Sequence, residues 1–580
     1  MKRSFSLFVF VLLVGVGFLL YFNTLHSPFQ YDDRLSIQKD TAIRDLNVGG
    51  IFKTFNTRFL PGLTLAVNFW LGGLDPFGYR VLSIFFHILA AFFVFHLTRL
   101  TFRTPYFQKA GMPPHPQLVA LGAALIFLTH PIETEAVNFL TQRSALLAGM
   151  FYLLTVTLYA KARIESSKIC FWGAWASTVA AMFCKEITFT LPLTLALYEI
   201  CFFGPLHHER SKRILTLLPF LLTLVIIPIT LSRTSMETIY TSRVAHVTGD
   251  RGESGVRETP KVDITRTYMP MSRHDYFLTQ LNVLVTYLRL LVLPVNQNLD
   301  YDYPISRSLA EPKTLVCGLG LAFLLAGGTM LYRRFRLMAF GIFWFFIVLS
   351  VESSIIPIGH MIAEYRLYSA VGGFALFMAF AIAWLLKEPR PLLLAYVVFI
   401  IGLSVLTFSR NQVWRDEISL WQDTLHKSPG KVRPYVNLGL AYAERGQLEQ
   451  AVPYFEKSLR FDPDSTLVNL NLGAVYAQKG ETDKAIGLLK RVIEKEPNAV
   501  DAYLNLGAIY GGRKDFDQEI ALYRKALAID PGIEEIYINL GIAYKEKGDR
   551  DNALKAADAL RQLKRPDLAD RLEAFIRTAP

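Results

Sequence analysis

Two adjacent carboxylates follow the first apolar stretch of the chain. Asp32 and Asp33 lie in the run from Phe29 to Arg34, shortly after the apolar residues 5–22. A carboxylate just outside a hydrocarbon layer can take a proton from a hydroxyl that arrives through water, while a second substrate lies in the bilayer. The pair is therefore a candidate general base, and the residues alone leave open which of the two acts.

Other charged groups recur in segments that we predict to lie on the same side. The cations among them are Arg143, Lys185 and Arg366, which could hold an anionic group such as a phosphate. The candidates for orienting these cations or placing an acceptor are Glu133, Glu135, Glu186, Glu364, His130 and His360. Charged groups beside a bilayer are costly unless they pair or act, so their convergence predicts one polar site.

Repeated apolar runs must position these groups. Hydrophobic residues make up 52% of the 580 residues, and the mean hydropathy is +0.30. These averages conceal an apolar part, residues 1–410, and a polar part, residues 411–580. We predict an all-α membrane domain of about eleven spans in the first part. The predicted spans are 5–22, 81–102, 118–135, 143–160, 169–184, 187–203, 214–232, 313–332, 338–357, 370–386 and 391–409.

Basic residues predict the orientation of these spans. They cluster on alternate loops, at Arg99, Arg103 and Lys109, at Lys161, Arg163 and Lys168, at Arg210, Lys212 and Arg213, at Arg333, Arg334 and Arg336, and at Lys387 and Arg390. Because cytoplasmic loops are enriched in Lys and Arg, these loops and the N-terminus are predicted to be cytoplasmic, with Asp32 and residues 411–580 outside. Residues 276–294 are interrupted by polar side chains, and we interpret them as a partial or interfacial helix.

The first apolar segment and the cysteines indicate in which membrane and compartment the protein lies. Residues 5–22 follow a basic start and lack a small-residue cleavage site, which indicates a retained signal anchor. Cys170, Cys184, Cys201 and Cys317 all lie in apolar runs, so we expect no disulfides in the external loops. These features are compatible with a bacterial inner membrane and repeats in the periplasm.

Neither metal nor nucleic acid is predicted as a ligand. No zinc-type spacing of Cys and His occurs, and no compact set of oxygen ligands is visible, although a divalent cation on the acidic pair is an alternative. The net charge of +12 is explained by cytoplasmic loops that face anionic lipid. We therefore infer no nucleic-acid binding.

Residues 411–580 repeat with a period of 34 residues. Asn-Leu-Gly begins at Asn437, Asn471, Asn505 and Asn539. This is the tetratricopeptide period, in which paired helices bury their apolar faces by stacking. We predict units near 434–467, 468–501, 502–535 and 536–569, preceded by a half-repeat at 411–428. The third unit differs, with Arg513 at the turn and Glu519 where the other units have alanine.

The asparagine column has two interpretations. Equivalent residues of stacked repeats line one wall of a superhelix, and an amide both donates and accepts hydrogen bonds. The four asparagines could therefore hold the backbone of an extended peptide. Alternatively, asparagine before Leu-Gly is a common consensus residue that serves helix packing or solvent.

Taken together, these motifs resemble the transmembrane O-mannosyltransferases with tetratricopeptide repeats, a family of GT-C glycosyltransferases. The resemblance is carried by the Asp32 run, by His130 to Val137 with Arg143, by Lys185 and Glu186, by Asp300 to Pro304, and by Ala363 to Tyr368. It implies a polyprenyl-phosphate-linked sugar as donor and an acidic base in the first external loop, which maps onto Asp32 or Asp33. The order Glu364, Tyr365, Arg366 departs from the more usual Glu-Arg-Tyr.

The resulting hypothesis is an inverting sugar transfer. The sugar, mannose by resemblance, would move from the lipid donor to a Ser or Thr hydroxyl of an external protein held by the repeats. Two alternatives remain at this point. The chain could be a non-catalytic, membrane-anchored repeat scaffold, or a ligase or polymerase of lipid-linked glycans.

Overall fold

The computed structural model describes residues 2–204, 210–232, 271–358 and 360–578. All regular structure in these ranges is helical, which confirms the predicted fold class. The chain divides into two compact units, with the boundary between Pro429 and Gly430. The side chains of the basic cluster at residues 210–213 lie outside the described ones.

The first unit contains the long apolar helices. Its helices up to residue 232 are α1 Lys2–Tyr21, α2 Val48–Phe55, α3 Phe59–Gly72, α4 Pro76–Thr101, α5 Pro105–Ala110, α6 Pro116–Thr129, α7 Thr134–Asn138, α8 Arg143–Glu165, α9 Lys168–Met182, α10 Leu191–Phe202, α11 Arg210–Leu222 and α12 Ile226–Ser232. Those that follow are α13 Arg273–Val292, α14 Pro312–Arg334, α15 Arg336–Leu349, α16 Tyr368–Leu385, α17 Pro389–Val413 and α18 Glu417–Lys427.

Six helical stretches among the described residues are long and apolar enough to cross a membrane, and a bent pair would make seven. The six are Ser4–Thr24, Pro76–Thr101, Leu140–Glu165, Pro312–Arg334, Glu364–Leu385 and Pro389–Val413, and the pair is Pro116–Thr129 with Pro131–Asn138. The expected count was higher because some apolar runs form shorter helices: α9, α10 and α15 have 15, 12 and 14 residues. At 1.5 Å per residue each is shorter than a hydrocarbon layer of about 30 Å.

Three of the basic loops, those after α4, α8 and α14, lie at one end of this helical bundle. Arg103, after α4, contacts Glu165 at the end of α8, with 3.0 Å between Nη1 and Oε1. Arg336, at the start of α15, donates to the backbone oxygen of Cys201 in the last turn of α10, at 3.1 Å. The Tyr106 hydroxyl, in α5, donates to the Arg334 backbone oxygen at 2.9 Å and joins these two contacts. Three of the alternate basic loops in the sequence therefore share one end of the bundle.

Helix α13 runs along the opposite end. Near its start, the Tyr276 hydroxyl donates to the Glu352 backbone oxygen at 2.8 Å, just beyond the end of α15. In its last turn, the Leu291 oxygen accepts from His130, which follows α6, at 2.9 Å. Both termini of α13 thus contact loops at the same end, in agreement with a helix that does not span.

Residues 411–429 pack within the first unit. Trp414 and Trp421 are buried there, at 2% and 0% exposure. Trp414 stacks on Phe139 with 6.0 Å between ring centroids, and Trp421 meets the edge of Tyr31 at 5.2 Å. The predicted half-repeat is therefore an extension of the membrane unit, and the structural boundary falls at Pro429 instead of residue 410.

The second unit is a series of paired helices. They are α19 Val432–Glu444, α20 Leu448–Phe461, α21 Thr466–Gln478, α22 Thr482–Lys495, α23 Val500–Gly512, α24 Phe516–Ile529, α25 Glu534–Lys547, α26 Arg550–Gln562 and the capping helix α27 Pro566–Arg577. Glycine is needed where the two helices of a pair meet, because a Cβ at Gly439 would lie 2.7 Å from the Phe455 ring. These pairs have the 34-residue period of the predicted repeats.

The turn of the third repeat is made by a different residue from the one we expected. Gly446, Gly480 and Gly548 have φ angles of 71°, 79° and 86°, in the left-handed region. In the third repeat the left-handed residue is Lys514, with φ of 61°, and not Arg513. Lys514 follows Gly480 by 34 residues and precedes Gly548 by 34, so the assignment of the turn to Arg513 from the sequence was one residue too early.

This turn gives a stability prediction. A non-glycine residue in the left-handed region costs roughly 1–2 kcal/mol, so we expect Lys514→Gly to stabilise the third repeat by about 1 kcal/mol. Hydrogen exchange of α23 and α24 in the full-length, detergent-solubilised protein should slow accordingly. Lys525→Gly, at an exposed position within α24, is the matched control and should speed exchange. Equal effects of the two variants would contradict the prediction.

Candidate active site

Asp33 connects the first loop to the start of α8. Its Oδ1 accepts hydrogen bonds from the backbone and the hydroxyl of Thr141, both at 2.7 Å. Its Oδ2 accepts from the backbone of Leu140 at 3.3 Å. Asp33 is fully buried, whereas Asp32 is only partly buried. The structure therefore separates the two candidates: Asp33 anchors the loop, and Asp32 is the carboxylate that solvent can reach.

Arg80 holds the start of the same loop. Its guanidinium donates to the backbone oxygens of Ser27 and Pro28, both at 2.9 Å, and to that of Asn138 at 3.1 Å. Sequence reasoning missed this residue because it lies one position before the predicted span 81–102, although it is within the first turns of the observed helix α4. The sequence feature that could have identified Arg80 is a charge directly before an apolar run, because such a charge is costly unless it has partners.

The burial of Asp33 gives a pH prediction. Burial raises its pKa from 3.8 to about 6, against the lowering effect of the Thr141 hydrogen bonds and the Arg80 charge. A carboxyl with a raised pKa contributes its full stability below pH 3.8, and this contribution, about 3 kcal/mol, is lost as the pH rises to about 6. Asp33→Asn cannot ionise. We therefore expect its stability relative to the parent to increase over this interval and then level off.

Thermal unfolding of the full-length protein in detergent, followed by intrinsic fluorescence at a series of pH values, checks this expectation. The exposed Asp45→Asn in the same loop is the matched control and should show no such change. Parallel curves for parent and Asp33→Asn would contradict the prediction.

Lys185 forms a buried ion pair with Glu352. Its Nζ lies 2.9 Å from the Glu352 Oε1 and 4.2 Å from the centroid of the Tyr365 ring. Among the described residues, the buried Oε2 of Glu352 has no hydrogen-bond partner. Glu352 was not predicted as a site residue, although it is a lone carboxylate at the end of the apolar run of α15.

Arg58 and Arg366 complete a cationic cluster with Lys185. Burial lowers the pKa of Lys185, Glu352 opposes this, and the positive charges of Arg58 and Arg366 lower it further. The contacts place the three cations near one another, because Lys185 lies over the ring of Tyr365, the residue before Arg366, and Arg58 contacts Glu186, the residue after Lys185. Arg58 was not predicted, since it lies between the short helices α2 and α3.

Each arginine of the cluster has its own support. The Arg58 guanidinium lies 3.8 Å from the Glu186 carboxylate, and this charge raises the pKa of Arg58. Arg366 donates from Nη2 to the backbone oxygen of His360 at 2.8 Å. Its buried Nε has no partner among the described residues. The cluster thus holds a cationic nitrogen that a ligand oxygen could satisfy.

Two predicted carboxylates form the frame around Tyr365. Glu135 Oε2 accepts from the Tyr365 backbone at 2.9 Å. Glu364 accepts from the Tyr301 hydroxyl at 2.5 Å and from the Asn298 backbone at 2.6 Å. Residues 134–142 therefore contact the Asp33 loop at one end and the Tyr365 segment near the other. Residues 134–142 thus link the acidic loop to the Tyr365 segment.

Arg143 has a different environment from the other predicted cations. It is fully buried, and it donates to Asn68 Oδ1 and to the Tyr79 backbone oxygen, both at 2.7 Å, and to Ser83 Oγ at 3.3 Å. All three guanidinium nitrogens are therefore used within the protein. The geometry gives Arg143 the role of joining α3, α4 and α8.

The remaining predicted groups are Glu133, His130 and His360. Among the described residues, neither buried oxygen of Glu133 has a hydrogen-bond partner. His130 donates from Nε2 to the Leu291 oxygen at 2.9 Å and accepts at Nδ1 from the Ile132 backbone at 3.3 Å, so both ring nitrogens are occupied. His360 is exposed, and its backbone supports Arg366. Within the described ranges no group of three His, Cys, Asp or Glu side chains could hold a metal ion.

The asparagine column is partly engaged with its own helices. Asn437 and Asn471 donate from Nδ2 to the backbone oxygens of Arg433 and Leu467, at 3.0 and 2.8 Å. Each of these two amides therefore uses one of its two N–H donors within its own helix, and its second N–H and its oxygen take no part in that bond. Asn505 and Asn539 are partly exposed. The first two asparagines thus have one of their donors engaged within the repeat.

Known proteins resemble both parts of the chain. Family models described as tetratricopeptide repeat match residues 424–509, 500–533 and 534–560. The crystal structure of MamA protein is 29% identical and covers 28% of this chain and 86% of its own, with a TM-score of 0.24.

Longer similarities extend over the membrane unit. Protein O-mannosyl-transferase Tmtc3 of Drosophila melanogaster is 25% identical over 457 residues, which are 70% of this chain and 48% of that protein. Protein O-mannosyl-transferase TMTC4 of Homo sapiens is 25% identical over 499 residues, 77% of this chain and 65% of that protein. The chain thus spans about half to two thirds of the length of these relatives. The resemblance expected from the motifs is confirmed: the chain is similar to proteins named protein O-mannosyl-transferase, and it carries tetratricopeptide repeats at its C-terminal end.

Proposed function

We propose that this protein is a membrane glycosyltransferase that moves mannose from a polyprenyl-phosphate donor to a Ser or Thr hydroxyl of a protein. The observation that carries the proposal is the joining of the Asp32 loop and the Arg58, Lys185 and Arg366 cluster through residues 134–142. A base and a phosphate-stabilising cluster are the two parts that such a transfer requires. The names of the relatives support the sugar and the protein acceptor.

In the proposed reaction, the acceptor hydroxyl oxygen attacks the anomeric carbon of the donor sugar. Asp32 takes the hydroxyl proton as the new bond forms. The bond between the anomeric carbon and the phosphate oxygen breaks, and its electron pair leaves with the polyprenyl phosphate. The attack from the opposite face inverts the anomeric configuration, as in GT-C enzymes of the inverting type.

The cationic cluster has the chemistry of a leaving-group site. Arg can hold phosphate oxygens in a bidentate fork, and Lys acts as a point charge. Arg366 has a buried Nε without a protein partner in the described chain. Lys185 is held between Glu352 and the Tyr365 ring, and this fixes its Nζ before a ligand binds. Prearranged charges of this kind stabilise a developing anion without reorganisation.

The repeats are the proposed acceptor-binding part. The side-chain oxygens of Asn437 and Asn471 can accept from backbone N–H groups of an extended peptide, in register with the repeat. Three of the basic loops share one end of the bundle, and such loops are typically cytoplasmic. The opposite end of the membrane unit, which carries the Asp32 loop, is therefore proposed to be outside the cytoplasm, and so are the repeats. A bacterial inner membrane remains the proposed location.

Mass spectrometry of exported proteins tests the function. Three strains are compared: one with the gene, one without it, and one that carries Asp32→Asn. We expect a hexose on Ser or Thr residues of exported proteins only in the strain with the intact gene. Radiolabelled polyprenyl-phosphate mannose supplied to isolated membranes would identify the donor. Unchanged glycosylation in cells without the gene would refute the proposal.

A further inference from the structure

We propose that Glu417 is a positioning residue for Asp32, a role that rests on the proposed function. Its Oε1 accepts from the backbone N–H of Tyr31 at 2.9 Å. Its Oε2 lies 2.9 Å from the Arg34 Nη2. One carboxylate therefore holds the residue before Asp32 and the side chain two residues after it. Glu417 is only 7% exposed, which protects both interactions from water.

The loop needs such a restraint because its backbone is strained. Tyr31 has φ of 52°, in the left-handed region. This conformation costs a non-glycine residue roughly 1–2 kcal/mol and persists only where the surroundings enforce it. The Glu417 bond acts on the strained residue itself. The backbone direction at Tyr31 sets where the Asp32 carboxylate points, so this bond acts on the geometry of the base.

The same loop is held from two other directions. Asp33 is bound to Thr141 at the start of α8. Gln30 donates from Nε2 to the Trp414 backbone oxygen at 2.7 Å. Residues 30, 31, 33 and 34 are thus each fixed through a named contact, and Asp32 lies between them. Such restraint on all sides is what a catalytic carboxylate requires for correct orientation.

The Glu417 carboxylate is not needed to attach α18 to the rest of the membrane unit. This helix is already attached by the ion pair between Arg410 and Asp423, with 2.6 Å between Nη1 and Oδ2. Lys427 also donates to the Gln297 backbone oxygen at 2.6 Å. A nearly buried charge adds little net stability to a fold. Both oxygens of the Glu417 carboxylate contact the Asp32 loop, so loss of this carboxylate should act locally on that loop.

The test compares Glu417→Gln with a matched control, Asp423→Asn, which weakens the attachment of α18 elsewhere. Full-length variants in detergent are assayed with polyprenyl-phosphate mannose and a synthetic threonine-rich peptide. Hydrogen exchange of residues 29–35 is measured on the same preparations. Because a displacement of about 1 Å can cost 10²-fold, we expect Glu417→Gln to lower kcat about 30-fold with unchanged KM for donor and peptide. Exchange in residues 29–35 should rise at least tenfold, and Asp423→Asn should change neither quantity.

A double variant, Arg34→Gln with Glu417→Gln, should lose no more than Glu417→Gln alone, because the two side chains act as one unit. An unchanged kcat for Glu417→Gln, or equal losses for Glu417→Gln and Asp423→Asn, would overturn the positioning role. Full transfer by Asp32→Asn would refute the proposed base instead. If the parent transferred no sugar, the proposed function would fail, and unchanged exchange in Glu417→Gln would then refute the restraint separately.

Discussion

Asp32→Asn is expected to lower the rate of sugar transfer by at least about 10²-fold while leaving donor binding intact. General-base catalysis contributes typically 10²–10⁴-fold, and asparagine cannot take the acceptor proton. The side chains have nearly the same shape, so the loop held by Asp33 should keep its conformation. Rates are measured with polyprenyl-phosphate mannose in membranes, and binding by retention of the labelled donor.

Two further variants serve as comparisons for this experiment. Asp45→Asn removes an exposed carboxylate from the same loop and should transfer at the parent rate. Asp33→Asn should lose less activity than Asp32→Asn, because Asp33 is fully buried and bonded to Thr141. If Asp33→Asn were the more damaging of the two while its protein stayed folded, Asp33 and not Asp32 would be the base.

The repeats and the long helices could be predicted because their signals are local. A period of 34 residues requires only nearby positions to agree, and it located Asn437 through Asn539 correctly. Apolar runs likewise indicated the membrane unit. Where the periodic pattern was misread by one residue, at Arg513 and Lys514, the error was confined to a single turn.

The partners of the charged residues could not be predicted, because distant segments supply them. In the sequence, Arg143 and Lys185 look alike, because each is a cation beside an apolar run. Only the packing of α3 and α4 shows that its nitrogens are satisfied within the protein. Glu352 becomes meaningful only through its contact with Lys185. Hydropathy predicts that a segment crosses or enters a bilayer, and it carries no information on which loops meet.

The half-repeat at 411–428 illustrates the same limit. Its two tryptophans and its position before the first repeat suggested that it belongs to the repeat stack. In the structure they pack against Phe139 and Tyr31, so the segment is part of the membrane unit. Burial of aromatic surface decides such a boundary, and several apolar partners were available to these side chains.

Lys185→Ala is expected to reduce kcat by about 10²-fold, since removal of one prearranged donor from a developing anion typically costs 10²–10³. The single variant has a second effect, because it leaves Glu352 buried without its cation. Loss of one member of a buried pair destabilises a protein by roughly 3–5 kcal/mol. Thermal unfolding of the same preparations measures this cost.

The double variant Lys185→Met with Glu352→Gln separates the two effects. It removes both charges, so the protein should regain most of the lost thermal stability, as replaced buried pairs often do. Transfer should stay low, because the leaving phosphate still lacks its cation. Lys185→Arg keeps the charge and should retain at least about a tenth of the parent rate. Recovery of transfer in the double variant would show that Lys185 serves the fold alone, and the leaving-group site would then have to be assigned to Arg58 and Arg366 without it.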